Sequence, residues 1–246
     1  MTSRERTQKA LTFSKPDRAP RHLWMLPYVS MFRKAELDAV LDKYPSDIDS
    51  PAVRPPGEIE ESHQKFLHAL THTGSYTDEW GSVWEVGEPG IVGEVKQPVL
   101  ADWARLDTFQ PPWEVVEKRD LGHANRVCDG SDKFMPSANC ARPFERLQFL
   151  RGTESALMDL ASDEPEIRKT LDMIHEYESL DVSAWAKSNV DGAFLMDDWG
   201  SAASTRGKSR SGARSTGSTS FRSAPRTMSG MPSAGFALPW RMTPAA

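Results

Sequence analysis

Two adjacent aspartates, Asp197 and Asp198, directly follow the apolar run 193–196, which is typical of a buried strand that ends in a loop. In a βα barrel the functional groups lie where the strands end, because the βα loops converge there. Neighbouring residues of an extended segment point to opposite sides, so one carboxylate is expected to face the cleft and the other to anchor the loop. We therefore predict general acid–base chemistry here. The structural alternative is that Asp198 caps the next helix.

A third candidate carboxylate, Asp47, follows a short apolar segment together with Asp49 and could also end a strand. The alternative for this pair is a turn that is held by Asx hydrogen bonds. Asp78, Glu79 and Trp80 lie on a predicted hairpin. Placed over a cleft, this hairpin would add a wall to a substrate pocket. The alternative is an ordinary exposed hairpin.

A predicted strand-to-helix junction carries Asn139, Cys140, Arg142 and Phe144. Such a junction is a natural anion site, because free backbone N–H groups point outward from the first turn of a helix. Arg142 could bind a carboxylate or phosphate by a bidentate fork. Its structural alternative is a pair with Glu145. These residues are predicted to bind substrate.

Other catalytic motifs are missing from the sequence. His68 and His72 are four residues apart on a predicted helix, but no third ligand accompanies them at a recognised spacing, so we predict no metal site. The sequence has no Gly-rich phosphate loop, no Gly-x-Ser-x-Gly elbow and no Cys-x-x-Cys. Two cysteines make no disulfide framework, and reduced thiols in the cytoplasm are expected.

The elements that must position these groups follow a βαβ rhythm from residue 133 onward. Strand patterns at 133–140 and 193–196 flank one helix at 143–151 and a long amphipathic helix that starts near Asp163. Earlier in the chain we predict a helix from Thr2 or Ser3 to Leu11, a buried strand at 22–26 and a helix near Trp113. Residues 76–86 and 91–96, around a Gly-Glu-Pro-Gly turn, predict an inserted β-hairpin.

Composition changes abruptly after Gly200. Residues 201–246 hold six Arg, one Lys and no acid, so this tail carries +7 and residues 1–200 carry −12 of the net −5. The tail has one Leu and no Val or Ile, so we predict that it is disordered. The functional alternative for this tail is a basic RNA-binding arm. The chain has no apolar run near the length that spans a bilayer and no signal peptide, which predicts a cytoplasmic protein without a nucleic-acid or membrane partner.

Four segments resemble the uroporphyrinogen decarboxylase superfamily, and together they cover residues 1–200. They are the opening 3–20, the Asp-Glu-Trp-Gly-Ser-Val-Trp run at 78–84, the segment 142–152, and 190–200. The resemblance implies an α/β fold of the (β/α)8 TIM-barrel type, incomplete in this chain, with an inserted β-hairpin and a disordered C-terminal tail. It further implies a partial barrel domain at 1–200.

The superfamily includes the cofactor-free decarboxylase of haem biosynthesis and zinc-dependent methyltransferases that act on methyl-corrinoids. The resemblance implies a lyase or a methyltransferase that handles a tetrapyrrole or corrinoid substrate, with a corrinoid protein as a partner in the second case. It places the decarboxylase's key aspartate at Asp47 and a substrate contact at Asp198. The family's arginine-rich signature has no match near 24–28. The zinc ligands of a full-length methyltransferase would lie beyond residue 200, where this chain has neither His nor Cys. The alternative function is an inactive truncated barrel.

The tail also suggests a shifted reading frame. Codons exist for residues 211–219 that, read one base earlier, spell Trp-Arg-Glu-Val-Tyr-Arg-Gln-Tyr, an amphipathic helix start. We expect the coding DNA past codon 200, translated in a neighbouring frame, to give a patterned α/β continuation. Resequencing of the gene checks this, and neighbouring frames without such a pattern would contradict it.

Overall fold

The computed structural model describes residues 1–51, 72–117 and 119–197, with only the backbone of Asn139 and Cys140. This part of the chain is a mixed α/β protein. Its helices, numbered as described, are α1 Ser3–Leu11, α2 Pro27–Phe32, α3 Lys34–Lys43, α4 Trp113–Glu117, α5 Gly122–Asp129, α6 Pro143–Arg151, α7 Thr153–Ser162 and α8 Pro165–Trp185. Its strands are β1 Gly74–Thr77, β2 Val83–Val86, β3 Glu94–Gln97, β4 Pro136–Ala141 and β5 Gly192–Leu195, and a 3-10 helix spans Trp103–Thr108.

The first helix begins with a capping box, which confirms the predicted start at Thr2. The Thr2 side chain accepts a hydrogen bond from the Glu5 N–H, and the Glu5 carboxylate accepts one from the Thr2 N–H. Arg4 then joins α1 to later parts of the chain. Its Nε donates to Asp191 at 2.9 Å, and its terminal nitrogen donates to the Cys128 carbonyl at 2.8 Å.

A buried ion network joins α1, the segment after it, and Asp47. The Asp47 carboxylate is 1 % exposed and lies 2.6 Å from both the Arg6 and the Arg18 guanidinium. It also accepts hydrogen bonds from the Ser3 hydroxyl and the Arg21 N–H. Burial alone would raise the pKa of Asp47, but the hydrogen bonds from Arg18, Arg21, Ser3 and Arg6 hold it well below its usual range.

The inserted β-structure has three antiparallel strands in the order β1-β2-β3. The pair β2 and β3, on either side of the Gly-Glu-Pro-Gly turn, confirms the predicted hairpin, and β1 is an additional strand. The segment read as one strand, 76–86, contains a tight turn. Asp78 holds this turn, because its carboxylate accepts the N–H groups of Trp80 and Ser82 and the indole N–H of Trp84. Gly81 supplies the positive φ of 88° that the turn requires.

A parallel pair, β4 and β5, confirms the βαβ rhythm, with α6, α7 and α8 in the connection. Its register pairs Pro136 with Gly192 and Ala141 with Leu195. On the other side of β4, Ile48 forms a parallel bridge with Phe134. The predicted strand at 22–26 was wrong: these residues are in no strand, and Trp24 is 61 % exposed. A short apolar run does not by itself specify a strand, because strand formation needs a neighbouring edge.

The hydrophobic core lies between the inserted sheet and the helices. Its buried members are Trp80, Leu100, Val116, Leu147, Leu150, Ala156, Ile167, Ile174 and Tyr177. The turn of the inserted sheet is therefore part of the core at Trp80, whereas most residues of β1 and β3 are exposed. Among the helices of the described residues, none has the length and apolar character to cross a membrane.

Replacement of Asp47 by Asn should lower the free energy of unfolding at pH 7 by about 3 kcal/mol, since it leaves buried arginine charge uncompensated. The pKa of Asp47 is depressed in the folded state from its usual 3.8, so its contribution is full above that value and is lost as the pH falls through the folded-state pKa. The difference in the free energy of unfolding between wild type and Asp47→Asn, measured by urea unfolding, should become smaller below about pH 4.

Asp49→Asn is the matched control, because Asp49 is 57 % exposed and pairs only at the surface with Lys133. Equal losses for the two variants at pH 7, or a gap that does not depend on pH, would contradict a stabilising role of the Asp47 network.

Candidate functional site

The carboxyl ends of β4 and β5 meet at one edge of the parallel pair, where Ala141 lies beside Leu195. Arg142 follows the first strand, and Asp197 follows the second. In α/β folds ligands bind at this edge, because the loops after the strands converge there and bring polar groups together. The C-terminal edge, defined as Arg142, Glu145 and Asp197, is therefore the candidate site.

Asp197 caps helix α6. Its two carboxylate oxygens accept the backbone N–H groups of Phe144, at 2.8 Å, and Glu145, at 2.9 Å. Pro143 at the start of α6 has no N–H, so the next two N–H groups are the first donors of the helix. Asp197 of the same chain already accepts both of them. The prediction of a free anion site at the backbone of this turn was wrong for that reason. The neighbouring acid, Asp198, lies outside the described residues, so its catalytic role stays a prediction.

Arg142 keeps a partly exposed side chain at this edge. The side chain is 36 % exposed, donates to Glu145 at 2.8 Å and lies 5.8 Å from the centre of the Phe149 ring. The pair with Glu145 is the structural alternative that the sequence suggested. A single pair of this kind leaves other guanidinium donors for a ligand, since arginine has five N–H donors. Nothing is described of the side chains of Asn139 and Cys140, whose backbones lie in β4.

The inserted sheet reaches the same helix through Arg146, which sequence reasoning missed. Arg146 lies 3.9 Å from Asp78 and 4.0 Å from Glu79, and its guanidinium is 4.6 Å above the Trp80 ring. The sequence feature that could have identified Arg146 is its distance of four residues from Arg142, because residues four apart share one face of a helix. Trp80 is only 3 % exposed and packs in the core.

Glu178 of α8 is the second group that the sequence did not reveal. The Oε2 of its carboxylate is shielded from solvent without a hydrogen-bond partner. Burial raises the pKa of Glu178 to about 6, with Arg146 opposing and Asp181 adding to the shift. A glutamate beside the buried stripe of an amphipathic helix has the same local pattern as a solvated one, so no sequence signal marked it.

Asp47 lies near the N-terminal end of β4, at the opposite end of this strand from Arg142. It precedes Ile48, which bridges Phe134 at the start of β4. Seven residues separate Phe134 from Ala141, and a parallel strand rises about 3.3 Å per residue, so the two ends are roughly 20 Å apart. The sequence predicted that Asp47 follows the end of a strand. In the structure Asp47 instead precedes Ile48, the residue that forms the parallel bridge. The structure does not bring Asp47 and Asp197 together.

Two cavities adjoin the helices. One, of about 300 Å³, lies between the turn of the inserted sheet and the 3-10 helix and is bordered by Glu79, Trp80 and Arg105. The other, of about 410 Å³, lies between α5 and α8 and is bordered by Arg119 and Lys187. Neither of these two cavities is lined by Arg142 or Asp197. Within the described ranges, no three His, Cys, Asp or Glu side chains come together as metal ligands would.

No family model matches the chain, and searches of curated proteins and of solved structures find no match either.

Truncation of Asp197 to Ala should lower the free energy of unfolding by about 1 to 2 kcal/mol, because two N–H groups at the start of α6 lose their acceptor. Asp197→Asn keeps one acceptor oxygen and should lose about half as much. Urea unfolding at pH 7 measures both. Asp172→Ala, which removes an exposed carboxylate of α8, is the control. A loss no larger than that of the control would contradict the capping role.

Proposed function

We propose that this chain is an enzyme of the uroporphyrinogen decarboxylase superfamily and that its described part is a portion of a (β/α)8 barrel with an inserted antiparallel sheet. The parallel unit β4–α6–α7–α8–β5 supports this, because barrels are built from such units. The parallel bridge between Ile48 and Phe134 supports it further, since it adds a third segment in the same direction.

The substrate class is a tetrapyrrole or corrinoid that carries carboxylates. The observation that carries this proposal is the partly exposed Arg142 side chain at the C-terminal edge of β4. A planar guanidinium binds a carboxylate by two parallel hydrogen bonds, and a tetrapyrrole offers several carboxylates on its rim. Because Glu145 is its partner in the described structure, a substrate carboxylate would share or replace that contact.

In the decarboxylase form, an aspartate stabilises the positive charge of a protonated pyrrole while CO₂ leaves. Asp47 does not fit this role well, because its two oxygens are occupied by Arg6, Arg18, Ser3 and Arg21. Asp198 remains the candidate from sequence. In the methyltransferase form, a corrinoid protein would be the partner and zinc would activate a thiol. Among the described residues, no three His, Cys, Asp or Glu side chains come together that could hold zinc.

The second candidate function is a truncated barrel that binds ligand without turnover. One observation favours it: among the described strands, β5 pairs only with β4, and Leu195 and Met196 near its end are 46 % and 38 % exposed. An open strand edge with exposed apolar side chains favours aggregation.

Arg142→Ala should weaken the binding of uroporphyrin to this chain about 30-fold, since a charge-assisted hydrogen bond contributes about 2 kcal/mol. Arg142→Lys should lose less, because it keeps the charge but not the fork. Quenching of porphyrin fluorescence measures the affinity. Arg168→Ala is the matched control, because Arg168 is 68 % exposed on α8 and pairs with Asp163.

The outcomes separate the functions. Turnover of uroporphyrinogen would establish the lyase, and methyl transfer from a methyl-corrinoid that a chelator abolishes would establish the methyltransferase. Binding that depends on Arg142 but gives neither product would establish the truncated barrel. Failure of wild type to bind uroporphyrin, or equal binding by Arg142→Ala, would overturn the proposed substrate class.

A further inference from the structure

The α8 cavity, of about 410 Å³, lies between α8 and the residues that run from the end of α4 into α5. Helix α8 borders it with Leu180, Ser183 and Ala184, and Lys187 borders it from the turn that follows the helix. These positions are three, four and seven residues beyond the first, so they share one face of a helix. A space of this size can hold a small molecule, since ligand sites usually measure about 300 to 1,000 Å³.

Aliphatic side chains form one part of the cavity wall. Val116 and Leu121 are buried and belong to the core clusters, whereas Leu180 on α8 is 44 % exposed. Exposed apolar surface in a concave site leaves water when an apolar group of a ligand lies on it, which favours binding. The cavity therefore suits a ligand with an apolar body.

Arg119 brings a buried hydrogen-bond donor to the cavity. Its terminal nitrogen lies 2.7 Å from the Asp181 carboxylate, and the two side chains are 12 % and 1 % exposed. Asp181 thus compensates the charge of this guanidinium. The Nε of Arg119 is shielded from solvent and has no hydrogen-bond partner among the described residues. Because a buried donor without a partner is costly, this N–H is suited to an acceptor oxygen that a ligand supplies.

Two further donors border the same cavity. Lys187 is exposed, and within the described ranges it takes part in no ion pair. The side-chain oxygen of Asn125 accepts the Asn189 N–H at 2.8 Å, which leaves the NH₂ group of Asn125 as a donor. One exposed acid, Glu117, also borders the cavity, but Arg119, Asn125 and Lys187 all donate. The polar groups therefore favour a ligand that accepts hydrogen bonds.

We propose that the α8 cavity binds a small organic anion, a carboxylate on an apolar body. The carboxylate accepts a hydrogen bond from the Arg119 Nε, Lys187 supplies the opposite charge, and the apolar body covers Leu180. This site goes beyond the proposed function and does not rest on it, because none of the residues that define the C-terminal edge borders the cavity.

Benzoate and benzamide test the class of ligand, since they have nearly the same size and shape but only benzoate carries a carboxylate. Titration calorimetry of the full chain at pH 7 should show that benzoate binds about tenfold more tightly than benzamide, because charge-assisted hydrogen bonds are stronger than neutral ones. Inorganic phosphate should bind more weakly than benzoate, because it has no apolar body to cover Leu180.

Three variants test the position of the site. Lys187→Gln should weaken benzoate binding about fivefold and leave benzamide binding unchanged, because it removes one exposed charge. Lys169→Gln is the matched control, since Lys169 is 65 % exposed on α8, lies 4.0 Å from Asp107 and does not border the cavity. Ala184→Leu should weaken the binding of both ligands, because the larger side chain occupies part of the cavity. Thermal unfolding checks that each variant is folded.

Equal binding of benzoate and benzamide by wild type would overturn the anionic class of the ligand. Equal benzoate binding by Lys187→Gln and Lys169→Gln, or unchanged binding by Ala184→Leu, would overturn the position of the site. Phosphate binding as tight as that of benzoate would overturn the apolar body. If folded wild type binds no benzoate, the inference fails, whereas the proposed function, which is tested with uroporphyrin, is unaffected.

Discussion

The carboxylate of Asp197 joins the end of β5 to the first turn of α6, and the groups at the C-terminal edge take their positions from that helix. Its two contacts, with the N–H groups of Phe144 and Glu145, fix where α6 begins. Arg142 precedes this turn, and Arg146 follows it by one turn on the same face. Through Arg146 the helix also contacts Asp78 of the inserted sheet. A single acid near the end of β5 thus organises groups from β5, α6 and the inserted sheet.

Asp47 acts in a comparable way at the opposite end of the parallel segment. Asp47, which directly precedes Ile48, joins α1 to the segment 17–21. Its carboxylate accepts hydrogen bonds from two arginines, a hydroxyl and a backbone N–H. Both aspartates were candidates for catalysis from their position near strands, and both have their oxygens satisfied within the chain. An aspartate at a strand end is as well suited to fasten a loop or a helix as to act on a substrate, because a carboxylate accepts several N–H donors at once.

The sequence predicted the elements whose pattern is local. Helices α1, α6 and α8 and the strands β4 and β5 were recognised from capping, periodicity and an apolar run ended by acids. It failed where the outcome depended on distant partners. The run 22–26 is apolar but finds no neighbouring strand, and the turn at Asp78 depends on the carboxylate that accepts Trp80, Ser82 and Trp84. Glu178 could not be recognised, because the burial that raises its pKa comes from the tertiary fold and not from its local pattern.

A crystal structure of this chain with uroporphyrin bound tests the central claim most directly. A porphyrin carboxylate should lie within hydrogen-bond distance of the Arg142 guanidinium, at the C-terminal edge of β4 and β5, with the Asp197 cap of α6 intact. Porphyrin bound in the groove beside Arg119 and Lys187, or at the end of the sheet near Asp47, would contradict it, because the C-terminal edge would then have no part in recognition.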